Sequence, residues 1–76
     1  MIDFQDLKVG CKVYYAPEHY KPSQFENGIV KSIPSKYYNI KSVFVVYNCN
    51  NDWKNYRNYT AALTDIKDLR LGWKED

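Results

Sequence analysis

The chain has 76 residues, 45% of them hydrophobic and 17% aromatic, and its eleven Lys and Arg exceed nine Asp and Glu by a net charge of +2. This is one domain at most, too short for a multi-domain enzyme and too apolar for intrinsic disorder. Apolar runs fall well short of the roughly 18 residues of a membrane span, and the balanced charge does not indicate a committed nucleic-acid binder.

In chain order, residues 1–8 form a polar leader without the basic and apolar regions of a signal peptide, so a cytoplasmic protein is expected. Val9-Gly10 then opens a first strand, Cys11–Tyr15, with Cys11, Val13 and Tyr15 on one face and Lys12 and Tyr14 on the other. Pro17 and Pro22 mark a long loop from Ala16 to Asn27. Asn27-Gly28 reads as a turn launching a second strand, Ile29–Ile33, closed by Pro34. A Tyr- and Lys-rich connection, 36–41, leads to Val43–Tyr47, the strongest strand in the chain. Asn48–Asp52 breaks it, and Asn51 or Asp52 is placed to cap a short helical turn carrying Trp53 and Tyr56 on one side. Tyr59–Leu63 reads as a fourth strand. Thr64–Asp68 reads as a single 3-10 turn capped by Thr64. Leu69, Leu71 and Trp73 alternate with Arg70, Gly72 and Lys74 as a half-buried last strand.

Five short strands with no helix beyond about a turn point to an all-β domain spanning 1–76. A sheet this small removes its edges best by curling, so the expected architecture is a five-stranded antiparallel SH3-like barrel with a one-turn 3-10 helix before the last strand. The expected core is Val13, Ile29, Val45, Leu63, Leu69 and Leu71, with one of Val43 and Phe44 and one of Val30 and Ile33. Trp73 is expected in the core or at barrel closure. Cys11 and Cys49, far apart in a chain without a secretory leader, are expected as free thiols.

The segments Lys12–His19, Glu26–Ile33 and Val43–Tyr47, with Leu63-Thr64 and Asp68-Leu69, resemble a group of short uncharacterised bacteriophage and prophage proteins, over roughly residues 8–73. That resemblance describes a fold and implies no chemistry; it would place the protein in a host cytoplasm. The Gly28-x-Val30 strand start, with Trp53 after the central strand, is more loosely similar to SH3-like modules of the Tudor, chromo-barrel and KOW type. Such modules bind peptides, methylated side chains, nucleic acid or larger assemblies.

The residues offer little chemistry. His19 is the sole histidine, and a catalytic nucleophile needs a positioned base and an orienting group. The two Cys and one His make neither a CxxC nor an HxxxH pair, and the Asn-rich stretch 48–52 lacks a calcium loop's alternating acids, so no metal and no cofactor are expected. The three glycines stand apart and form no phosphate cradle. What stands out is the aromatic content. Tyr47, Trp53, Tyr56 and Tyr59 are interleaved with Lys54 and Arg57, and SH3-like closure would bring Tyr14 and Tyr20 alongside. The expected working surface is centred on Trp53, Tyr56 and Arg57, with Lys54, Tyr14 and Tyr20 at its edge and Tyr47 and Tyr59 nearby, because Trp, Tyr and Arg dominate interface energy. The first reading is a non-catalytic protein-interaction module acting on a host or self partner, with homo-oligomers allowed. The alternatives are a nucleic-acid-binding module, using Lys31, Lys36, Lys41, Lys54 and Arg57 among Tyr37, Tyr38, Trp53 and Tyr56, and a small-ligand, nucleotide-like binder.

Overall fold

A computed structural model of the chain describes residues 7–34, 41–47 and 49–75. It contains five strands, β1 (Lys12–Tyr15), β2 (Glu26–Ser32), β3 (Ser42–Val46), β4 (Ala62–Asp65) and β5 (Leu69–Leu71), and two 3-10 segments, Trp53–Asn58 and Ile66–Asp68. Among the described residues there is no α-helix. Lys36–Ile40, which carry Tyr37 and Tyr38 of the nucleic-acid reading, lie outside the described residues, as do most of the leader and Asn48.

All five strands form one antiparallel sheet in the order β4-β3-β2-β1-β5. β1 to β4 meander, and β5 returns to the free side of β1. β4 and β5 are therefore the two edges of the sheet, joined by the three-residue turn Ile66–Asp68. The expected closed barrel is not made. β4 runs through this turn almost directly into β5, so the two strands follow one another round a corner and cannot lie side by side. The corner is anchored from within, because Ile66 and Leu69 are both buried.

The register assigns each face. Val13 opposes Gly28 and Leu71, Val30 opposes Val45, and Val43 opposes Thr64. Directly opposed residues share a face, so Val13, Val30, Val43, Val45 and Leu69 line the concave side, where Leu7 and Ile66 complete the main core. Leu7 belongs to that core although the leader was expected to be polar. Ile29 and Val46 oppose each other on the other face and are also buried, as is Cys49. The 3-10 helix Trp53–Asn58 packs against β2 and covers this second, smaller layer.

Two expected core residues are exposed. Leu63 is 60% exposed because β4 begins later than expected and places Thr64, not Leu63, on the inner face. A shift of one residue exchanges the two faces of a strand. Leu71 shares the inner face with Val13 but is 48% exposed, since no further strand covers the sheet edge there. The other core expectations hold, with Val43 buried rather than Phe44 and Val30 rather than Ile33.

The Asn27-Gly28 turn is also corrected. Both residues lie inside β2, and Gly28 is there because the chain is crowded. A Cβ on Gly28 would lie 2.6 Å from Val45 Cγ1, 2.8 Å from the Val46 carbonyl oxygen and 2.9 Å from Tyr47 Cδ1. Glycine within a strand permits such close approach. A register shift between Val30 and Ser32 makes Lys31 the extra residue of a bulge. Its Nζ donates to the Tyr59 carbonyl at 2.7 Å.

Candidate functional site

The aromatic residues fall into two groups on opposite sides of the sheet. The outer group is built around the 3-10 helix. Asn50 and Asn51 turn the chain in the left-handed region, at φ 50° and 65°, a conformation asparagine tolerates better than most side chains. Asp52 follows at the N-cap position without a side-chain capping bond. Its carboxylate instead accepts from Asn55 Nδ2 at 2.9 Å and from the Tyr59 hydroxyl at 2.8 Å. The bond to Asp52, with lesser burial and charge contributions, raises the Tyr59 pKa. Thr64 is not the cap expected for the second 3-10 segment, because it lies in β4 and Asp65 holds the cap position.

Trp53 packs on Trp73 with ring centroids 4.8 Å apart. Trp73 is half-buried beyond β5 and neither enters the main core nor closes a barrel; its Nε1 donates to the Gly28 carbonyl at 2.8 Å. Asn27 fastens the next residue, exchanging side-chain hydrogen bonds with the backbone of Lys74. On this side each ring system already carries a cation from the same chain. Lys12 Nζ lies 4.6 Å from the Trp73 ring centre, Lys74 Nζ 5.4 Å from Phe25, and the Arg57 guanidinium 5.5 Å from Tyr56. Tyr14 packs edge-on against Phe25. Lys54 and Arg57 are exposed, and Trp53, Tyr56 and Tyr59 are half-buried.

The inner group lines a groove of about 370 Å³ bounded by Tyr15, Glu26, Tyr47, Ala62, Leu63, Thr64, Asp65 and Asp68. Tyr15 and Tyr47 meet at 6.1 Å with planes 63° apart, and Tyr20 packs edge-on against Tyr15 at 5.4 Å. Among the described residues the lining includes three acidic residues and no lysine, arginine or histidine. β1 and β2 bring Tyr15 and Glu26 opposite each other. The corner between β4 and β5 supplies Asp68, while Asp65, at the end of β4, alternates with the inward Thr64 and accepts from the Ser42 hydroxyl on the outer face at 2.9 Å. The Thr64 hydroxyl donates to the Ala62 carbonyl at 3.3 Å, which leaves its oxygen to accept from the Tyr47 hydroxyl at 2.7 Å. A directed chain, Tyr47 to Thr64 to Ala62, thus fixes the Tyr47 ring. Burial pushes the Tyr47 pKa up to about 12, partly opposed by the Thr64 bond. Burial also raises Tyr15, and the negative charge of Asp68 adds to the shift ahead of smaller effects from Tyr20, Glu26 and Asp65.

The surface expected from the sequence is therefore divided. Tyr47 lines the inner groove and Tyr20 backs Tyr15 there, while Trp53, Tyr56, Arg57, Lys54, Tyr59 and Tyr14 lie with the outer group. Glu26, Asp65 and Asp68 were not singled out by sequence. With Tyr15 they come from four separate elements, and no local pattern links them. The alternation of Tyr14 and Tyr15 in β1 was the one available signal, since it sends adjacent tyrosines to opposite faces. His19 is exposed and packs edge-on against Tyr20. Cys49 is buried, Cys11 is half-buried, and both are free thiols. No group of three or more potential metal ligands gathers among the described residues, and none of their helices is long and apolar enough to cross a membrane.

No protein-family model, curated protein or solved structure matches the chain.

Proposed function

We propose that this protein is a non-catalytic protein-interaction module whose inner groove receives a cationic side chain of its partner. One observation carries this reading: Tyr15 and Tyr47 form an aromatic wall beside Glu26 and Asp68, and none of the described residues that line the groove is basic. Ring faces attract cations through their quadrupole, and surrounding carboxylates add charge attraction that is strengthened where water is partly excluded. The outer group has the same ring types but is already satisfied by Lys12, Arg57 and Lys74.

The same contrast favours a protein over a nucleic acid. Stacking of bases needs free ring faces within a positive groove, whereas the groove here is acidic and the outer rings are engaged. It also favours a protein over an enclosed small molecule, because the groove is open and is bordered by the edge strand β4. The free thiols fit a reducing cytoplasm.

The test is an NMR titration at low salt with blocked lysine amide, against its neutral norleucine counterpart. Shifts confined to Tyr15, Tyr47, Glu26 and Asp68, produced by the lysine amide alone and absent in a Glu26→Gln/Asp68→Asn variant, are expected. Equal response to the neutral compound, or shifts centred on Trp53 and Trp73, would overturn the reading.

A further inference from the structure

The groove has one wall that is not made of side chains. Ala62, Leu63, Thr64 and Asp65, the whole of β4, line it, and β4 is an edge of the sheet. The Ile66 N–H donates to the Lys41 carbonyl at 2.8 Å, next to the opposed pair Ser42 and Asp65. Antiparallel pairs alternate between bonded and non-bonded. Thr64 opposite Val43 and Ala62 opposite Val45 are thus the bonded pairs. The N–H and C=O groups of Leu63 and Asp65 point away from β3, toward the open edge. Edge strands are commonly blunted by lysine, proline or a bulge; β4 has none of these.

We propose that the partner binds as an extended strand added to β4, with one lysine or arginine entering the groove and an apolar residue next to it, opposite Leu63. The proposal rests on the cation-binding reading of the groove and adds the backbone conformation and sequence pattern of what fills it. Strand addition supplies affinity through main-chain hydrogen bonds and specificity through alternate side chains. A residue of the added strand opposite Thr64 points to the inner face, toward Tyr47 and the carboxylates. Its two neighbours point to the outer face, one across from Leu63, which is 60% exposed and gives an apolar contact, the other across from Asp65. The alternation of β4 thus sets an apolar residue on one side of the basic one. Charge complementarity selects the occupant: Glu26 and Asp68 beside the tyrosines, with Asp65 on the outer face of β4, favour a basic segment.

The experiment uses the full chain and a blocked seven-residue peptide of alternating threonine and valine, with a central lysine flanked by valines. Two further versions carry N-methyl groups on alternate backbone nitrogens, one in each phase. An added strand uses one of its two edges, so one phase should weaken binding at least tenfold while the other stays within about twofold. The amide hydrogens of Leu63 and Asp65 should exchange more slowly on binding, with those of Ala62 and Thr64 unchanged. If the two phases bind alike, strand addition is wrong although the groove still takes a cation. If neither the peptide nor blocked lysine amide binds, the groove reading fails and this proposal with it. If the peptide-free chain self-associates in sedimentation with Leu63 and Asp65 protected, the occupant is a second copy and the proposal of a basic partner strand is overturned.

Discussion

The two aromatic regions use the same side chains for different ends. On the outer face, Trp53, Trp73, Tyr56 and Phe25 meet one another or a cation of the same chain, on the side of the sheet where Ile29 and Val46 are buried. In the inner groove, Tyr15 and Tyr47 lie near acids of the same chain, and none of the described lining residues is basic. An aromatic cluster marks a binding site when its electrostatic needs are unmet. A small domain spends most of its rings on packing, because few other side chains bury comparable area.

The largest expected effects lie on the outer face. Trp73→Ala removes the partner of Trp53, the bond to Gly28 and the seat of Lys12, and should cost about 3 kcal/mol in denaturant unfolding. Binding to blocked lysine amide should be unchanged once corrected for the folded fraction. Lost binding in a fully folded Trp73→Ala would reverse the roles of the two regions. Gly28→Ala comes next, at about 2 kcal/mol, because two of the three contacts are to a buried side chain and to backbone that cannot yield. An effect below about 0.5 kcal/mol would mean that β2 and β3 do not approach this closely.

The groove should behave in the opposite way. Glu26→Gln/Asp68→Asn should lower the affinity for a lysine-bearing peptide roughly tenfold, about 1.4 kcal/mol, while Tm changes little. Tyr47 gives a pH signature. An unfolded tyrosine ionises near pH 10, and folded Tyr47 near about 12. Between these values the unfolded chain has released a proton that the native chain retains. The stability contributed by Tyr47 is therefore complete below pH 10 and declines as pH rises toward 12. In Tyr47→Phe the alkaline fall should be shallower, as measured by urea unfolding at a series of alkaline pH values; an unchanged slope would place the ring in water. The smallest effect is expected at Leu63→Thr, below about 0.5 kcal/mol in stability, since this leucine is on the exposed face of an edge strand.

Much of the fold is legible in the residues themselves. Val43–Val46 is β-branched and aromatic, and it forms the third strand one position from its expected start. Pro17, Pro22 and Pro34 end regular structure where expected, since proline removes a backbone donor. Asp52 begins the 3-10 helix. The errors occur where two readings of one local pattern differ only in tertiary setting. Asn27-Gly28 has the chemistry of a turn, yet it lies in a strand because Val45 and Tyr47 press against it. Leu63-Thr64 has no periodicity strong enough to choose a face, and the bond between Thr64 and Tyr47 accompanies the polar residue's inward placement.

The sequence by itself determined the class of this protein: an all-β domain of five short strands with a one-turn corner before the last. Alternation, β-branching and turn residues act over a few neighbouring positions, so they can be read locally. Tertiary structure alone decided that the sheet stays open, which ring group lies on which side of it, and that Glu26 and Asp68 come beside Tyr15 and Tyr47. Those outcomes depend on which strands pair and where the chain turns its corner, and pairing brings together charges that are far apart along the chain. The rings could be counted from the sequence; which of them are left facing acid rather than lysine follows from the register.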